Sequence, residues 1–428
     1  MRSDETSAVA WSWLYVFSLF LAYYVLRPIR DELGVAGGVR NLPWLFTGTL
    51  LVMLAVNPLF AFAVRRWPRE RFIAIAYRFF AANLLVFMVL LKTAAPEHHV
   101  WIGRAFFIWV SVFNLFVVSV FWFFVVDVFN AEQGKRLFGF LATGATVGGI
   151  AGSSLTSGLV EKIGQDWLLL ASILFLEIAV FASRRLSSFS DAFQRPTKTD
   201  LHAPIGGGIF AGISHTLRSP YLLGIAFFIL FYSVTSTFLY FQQATIAEAH
   251  FTDRGARTAF FADIDFWVNA VTLFFQLFLT GRLVGMFGVA MTLCVLPLFS
   301  VVGFAALATA PAIGVFVAVQ VARRVSNFAL SRPTREVLFT AVRREDRYKA
   351  KNFIDTVVYR LGDQVGSWTY AALAGLFGLG MAGIAVVAVP LSALWLALSV
   401  WLGRQHRRRN NDANEVALDA PLQARDAI

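Results

Sequence analysis

The 428-residue chain has one cysteine, Cys294, and it lies inside an apolar stretch. That excludes a disulfide within the chain and a cysteine-based zinc framework, and leaves an inert buried thiol. Charge is also scarce: Asp, Glu, Lys and Arg make up 15% of the residues against 58% hydrophobic ones. A soluble globular protein of this length carries far more charge. There are six histidines. His98, His99, His202, His250 and His406 fall in expected loops or the tail, and His215 in a short surface helix, with no spacing that seats a metal. No nucleophile–base arrangement is present, which argues against a membrane-embedded enzyme. The glycine-rich stretch has no Gly-Lys-Ser/Thr ending, so it is not a nucleotide loop. The expectation is no catalytic residue, no metal and no cofactor.

What is present is hydrophobic length. About twelve apolar stretches are long enough to cross a bilayer, at roughly 20 residues each. They lie near 8–30, 42–64, 71–92, 101–127, 137–160, 167–184, 220–245, 259–281, 288–309, 312–341, 352–377 and 380–402. The 44 Phe and 12 Trp suit a lipid-facing surface with aromatic anchors at its interfaces. The first apolar run leads straight into a charged motif, so no cleavable signal peptide is expected. The net charge of +11 comes from basic residues between the apolar stretches, a positive-inside pattern and not a nucleic-acid footprint. Arg65, Arg66, Arg69 and Arg71, then Arg184 and Arg185, then the run from Arg343 to Lys351, then Arg404 and Arg407 to Arg409 mark the inner side. Both termini are therefore expected in the cytoplasm.

A polar segment with Pro196, Pro204 and Gly206 to Gly208 splits the stretches six and six. The expected fold class is an all-α membrane protein, a twelve-helix bundle of major facilitator type. Its domains would be residues 1–184, a cytoplasmic linker 185–219 with a short amphipathic helix near 209–217, a second bundle 220–402, and a tail 403–428.

The most informative region is 322–363. Gln320, Arg324, Asn327, Ser331 and Arg335 share one face at about 100° per residue, and Lys351, Asp355, Tyr359, Gly362 and Gly366 share another. Lys351 with Asp355, and Arg360 with Asp363, are spaced to meet on a helix surface. Ionisable groups in apolar helices cost about 2.5–3.5 kcal/mol each on the insertion scale, so they either line a solute path or neutralise one another in packing.

Elsewhere, Tyr23, Arg27, Arg30 and Asp31 fall on one face at the end of the first span. Pro28 is expected to kink the helix beside them. The arginines suit an anionic ligand, or snorkel at the outer mouth. Gly144, Gly148 and Gly152 let another helix approach closely, or bare backbone to a solute. Glu177 either takes a proton in the interior or is structural. Asp265, Asn269, Thr272 and Gln276 share a face. Asp263 points elsewhere, to cap the helix or pair with Arg257.

Four passages resemble the ATP/ADP antiporter family: YYVLRPIRDELG at 23–34, RLFGFLATGATVGG at 136–149, SRPTREVLFT at 331–340 and KAKNFIDTVVYRLGD at 349–363. The family's basic–acidic pair at the first motif falls on Arg30 and Asp31, and its late-helix pattern on Lys351, Asp355, Arg360 and Gly362. That pattern continues Leu-Gly-Lys, where this chain has Asp363. Exchanging a positive for a negative charge beside a polyphosphate is unfavourable by several kcal/mol when both are desolvated. The departure therefore favours a proton-coupled carrier, or a less charged ligand, over ATP/ADP exchange.

The expected function is a monomeric secondary transporter of the inner (cytoplasmic) membrane, rocking two halves around a mid-membrane site. It would move a small anionic solute with protons, in contact with membrane lipids and without nucleic acid. The expected substrate-binding residues are Tyr23, Arg27, Arg30, Asn269, Arg324, Asn327, Tyr359 and Arg360, and the proton- or ion-coupling residues Asp31, Asp265, Asp355 and Asp363. Nucleotide exchange and a lipid flippase are the alternatives.

Overall fold

The computed structural model describes residues 3–66, 69–129, 131–189, 211–342 and 350–423. The linker region 190–210, with Pro196, Pro204, His202 and Gly206 to Gly208, and the basic residues 343–349 lie outside these. Every regular element among the described residues is helical. In chain order these are α1 (Ser3–Ala36), α2 (Leu42–Arg66), α3 (Arg69–Thr93), α4 (Pro96–Val128), α5 (Ala131–Ser187), α6 (Ala211–Arg218), α7 (Pro220–His250), α8 (Arg254–Phe274), α9 (Thr280–Thr309), α10 (Ile313–Val325), α11 (Arg332–Leu338), α12 (Tyr359–Gly375) and α13 (Met381–Gln423). Among the described residues, nine helical stretches are long and apolar enough to cross a membrane. Two of them, Leu137–Ser187 and Arg254–Thr309, have 51 and 56 residues, at least twice the roughly 20 that one crossing needs. Each turns at a glycine: Gly164 has φ 80° and ψ 170°, and Gly288 has φ 71° and ψ 171°. Such a backbone favours glycine, because a Cβ would strain it. The chain is a multi-pass membrane protein.

The helix α1 runs unbroken through Pro28. Pro28 leaves that helix one backbone donor short. The short amphipathic helix after the linker is present as α6.

The chain forms two compact units. The first comprises Met1–Asp200 and Gln243–Leu273. Its centre is α1 packed along α5, and the glycine ladder explains how. A Cβ on Gly148 would sit 2.4 Å from the Phe17 carbonyl oxygen, and one on Gly152 2.5 Å from that of Leu21. Only a bare backbone lets these helices meet so closely, which bears out the packing role of the ladder. Tyr15 and Tyr77 share a buried hydrogen bond of 2.6 Å, and the Tyr77 hydroxyl reaches the Val117 carbonyl at 3.2 Å, tying α3 to α1 and α4.

The second unit comprises Leu201–Gln242 and Phe274–Ile428. Here α9 lies along α13, with the position of a Gly403 Cβ 2.6 Å from that of Ala290. Gly362 and Gly366 of α12 abut Ser233, Val234 and Thr237 of α7 in the same way. Three π-turns interrupt the α-helical path, at Phe275–Leu279, Ser326–Ser331 and Ile354–Val358.

Candidate functional site

Each unit gathers buried charge into a cluster of its own. In the first unit the cluster is built on the C-terminal half of α1 and on α8. Arg27 Nη1 meets Asp265 Oδ1 at 3.0 Å, with side chains 20% and 4% exposed. Asn269, one turn on from Asp265, donates its amide to the Asp265 carbonyl at 2.8 Å. The same amide group fills the space a Cβ on Gly149 would take. Arg30 donates from Nε to its neighbour Asp31 at 2.9 Å and from Nη1 to Ser111 at 3.4 Å, and its guanidinium lies 4.9 Å from the centre of the Phe107 ring. The Tyr23 ring stands edge-on to Tyr24 at 5.3 Å. The structure thus brings Tyr23, Arg27, Arg30, Asp31, Asp265 and Asn269 into one unit, the last two from a segment over two hundred residues away in sequence.

A second knot in this unit centres on Glu32, which is fully buried. It accepts from Arg257 Nη2 at 3.0 Å, Arg254 Nε at 3.2 Å and Gln165 Nε2 at 3.1 Å. A cavity of about 380 Å³ opens beside it, walled by Gln165 and Arg254 with Glu161 and Asp253. Sequence reasoning missed Glu32, because it sits about 150° around α1 from the middle of the face chosen there. Of the two roles expected of Asp263, the pairing with Arg257 does not form. Asp263 accepts from Ser157 instead of meeting Arg257, since the fully buried Glu32 is the stronger claim on that arginine.

In the second unit the polar hub is the α7 segment Tyr232–Thr237. Ser233 Oγ lies 2.6 Å from Asp363 Oδ1 and 2.9 Å from the Tyr359 carbonyl. Arg360 Nη1 meets Asp363 Oδ2 at 3.2 Å, so this pair forms as its spacing implied. Asn327 donates to the Tyr232 hydroxyl at 2.9 Å, and the Tyr232 and Tyr359 rings are 6.1 Å apart. Arg324 is half-buried on α10. Its neighbour Arg323, absent from the sequence-based site, is 2% exposed and donates to the same α7 segment.

The pairing of Lys351 with Asp355 is corrected. Lys351 meets Glu336, and Asp355 meets Arg335 at 3.3 Å. The π-turn at Ile354–Val358 takes an extra residue per turn, so positions four apart no longer stack. Glu177 pairs with Arg78 at 3.2 Å, both side chains about half exposed. That is a structural arrangement. Among the described residues no cluster of His, Cys, Asp or Glu could hold a metal.

No family model matches the chain. Three curated relatives are ADP,ATP carrier proteins. Carrier protein 1 of Chlamydia muridarum (strain MoPn / Nigg) is 28% identical over 209 residues, 44% of this chain and 39% of that protein. Carrier protein 1 of Chlamydia trachomatis serovar D is 27% identical over 209 residues, with the same coverage. Carrier protein 2 of Chlamydia pneumoniae is 25% identical over 229 residues, 46% of this chain and 41% of that protein. The chain spans about two-fifths of the length of the curated relatives it matches. Two solved structures share the fold at 14% identity. One is a bacterial homologue of the human lysosomal transporter Spinster, inward-facing and unoccupied, with a TM-score of 0.60 over 96% of this chain and 99% of that one. The other is a bacterial homologue of the iron transporter ferroportin, inward-facing, with a TM-score of 0.62 over 95% of this chain and 99% of that one. The chain shares its fold with these two transporters, and its sequence resembles the ATP/ADP antiporter family.

Proposed function

We propose that the chain is a secondary active transporter of the inner membrane that moves a small anionic solute by alternating access, coupled to protons. It crosses the membrane twelve times in a six-plus-six plan, with bundles at 1–184 and 220–402, a cytoplasmic linker 185–219, a cytoplasmic tail 403–428 and both termini inside. It works as a monomer, without a cofactor and without catalysis.

The observation that carries this reading is the Arg27–Asp265 ion pair. Two opposite charges deep in apolar helices are neutral together, and either alone is costly. An anion at the Arg27 guanidinium competes with the Asp265 carboxylate for the same positive charge. A proton on Asp265 removes that competition, so anion and proton bind more easily together than apart. That is the linkage a symporter needs. Arg30 with Asp31, and Arg360 with Asp363, repeat the arrangement and extend the same logic to the other substrate- and proton-handling residues. Tyr23, Asn269, Arg324, Asn327 and Tyr359 supply hydrogen bonds to the solute. Asp355 is the remaining coupling carboxylate.

The names of the curated relatives favour a second reading, exchange of ATP for ADP. The carboxylate of Asp363, where the family resemblance leads one to expect lysine, weighs against it. Reconstituted vesicles separate the two. Labelled phosphate, ADP and ATP are offered with an inward proton gradient, or with the same nucleotide trapped inside. Gradient-driven uptake that loses its gradient dependence in Asp265→Asn, and its anion uptake in Arg27→Gln, is expected. Uptake only against trapped nucleotide would establish the exchanger, and no uptake of any anion would overturn the anion reading.

A further inference from the structure

We infer that Arg323 is a specificity-determining residue: a standing positive charge behind the solute site that sets how strongly the transporter favours solutes of higher negative charge. The inference rests on the anion reading above and deepens it.

Arg323 is 2% exposed within a membrane-length helical stretch. Its guanidinium is held on all sides. Nε donates to Ser300 Oγ at 2.9 Å, Nη1 to Ser236 Oγ at 3.0 Å, and Nη2 to the Tyr232 carbonyl at 3.3 Å and to Thr235 Oγ1. The rings of Tyr232 and Trp395 lie 5.6 and 5.8 Å from its Cζ. Every acceptor is neutral. Arg335 and Arg360 of the same unit each face a carboxylate. Among the described residues, none faces Arg323.

Hydroxyls, a carbonyl and ring faces satisfy the hydrogens of a guanidinium without cancelling its charge. If Arg323 served only to clamp α7, α9 and α10, a well-packed apolar side chain would do so at lower cost. What arginine adds is a field. Because four of its five N–H groups are committed, it acts on a solute mainly from a distance, and in a low-dielectric interior such a field carries far.

Tyr232 connects that charge to the site. Its carbonyl caps Arg323, its hydroxyl receives Asn327, and its ring packs beside Tyr359. A cation fixed there favours an anion near Asn327 and Tyr359, more so with each added charge. It disfavours cations equally.

The test compares binding of adenosine, AMP, ADP and ATP, and of phosphate and pyrophosphate, to purified wild type, Arg323→Gln and Arg323→Lys by thermal shift and calorimetry. Wild type is expected to bind each series more tightly as charge rises. The Gln variant should lose about tenfold in affinity per ligand charge relative to wild type, and the Lys variant should keep the wild-type slope. A merely structural role would lower melting temperature and weaken all ligands alike, leaving the slope unchanged. If wild type binds no anion of either series, the anion reading fails and the inference with it. If wild type binds and the Gln variant keeps its slope, the inference alone fails. Should the Gln variant not fold, a lost slope in the Lys variant, where the charge remains, overturns the inference.

Discussion

Glu32 on α1 and Arg257 on α8 meet at 3.0 Å, with the carboxylate fully buried. Their partners Arg254 and Gln165 close the site around it. Replacing Glu32 by alanine removes the carboxylate that the largely buried Arg257 pairs with. We expect a loss of about 3–5 kcal/mol, read as a lower melting temperature in detergent, with Glu32→Gln intermediate. Arg254→Ala should cost less, because its side chain is 44% exposed where that of Arg257 is 14% exposed. Equal losses in both arginine variants would show that burial does not govern this knot.

The glycine ladder gives a second expectation. Gly148→Ala forces a Cβ within 2.4 Å of the Phe17 carbonyl. The two helices must part, at about 1–3 kcal/mol or more, and expression of folded protein should fall. Gly158 on the same helix has nothing within 4 Å of its Cβ position. There alanine should be neutral or stabilise by up to about 1 kcal/mol, through helix propensity alone. Monodispersity and thermal unfolding of the two variants make the comparison.

Ser233 is one of two neutral donors to the Asp363 carboxylate, with Thr237. Its removal in Ser233→Ala leaves that carboxylate with one hydrogen bond fewer in a buried setting, at about 1–3 kcal/mol. Combined with Asp363→Asn the two changes should be strongly non-additive, since the second removes the charge the first was serving. A double-mutant cycle on unfolding measures the coupling, and additivity would show that the contact is incidental.

Lys351 and Glu336 form an exposed pair, with side chains 37% and 50% accessible. Neutralising Lys351 should change stability by less than about 1 kcal/mol. Asp355→Ala strands Arg335, whose side chain is 15% exposed, and should cost clearly more in the same melting assay.

Much of this architecture was legible in the chain itself. Long apolar runs dictate membrane helices, because lipid offers no partner for an open backbone. The four-residue spacing of Gly144, Gly148 and Gly152 announced a close helix contact, and the three-residue spacing of Arg360 and Asp363 announced their pair. What spacing could not reveal is which distant segment completes each charge. Arg27 and Asp265 both stood out, but nothing local links residues 238 positions apart. Periodicity also misled where the helix changes its pitch. The face through Arg324, Asn327 and Ser331 assumed a regular α-helix, but Ser326–Ser331 is a π-turn, and the deeply buried cation is the adjacent Arg323. The only signal for it was two successive arginines in an apolar run.

The three wide turns of the second unit have a mechanical consequence. Each holds one surplus residue that a helix can shed or pass along without unfolding. Shedding it swivels everything downstream by about 100°. The turn at Ile354–Val358 directly precedes Tyr359, Arg360 and Asp363, so one such swivel redirects all three side chains at once, together with the rest of their helix.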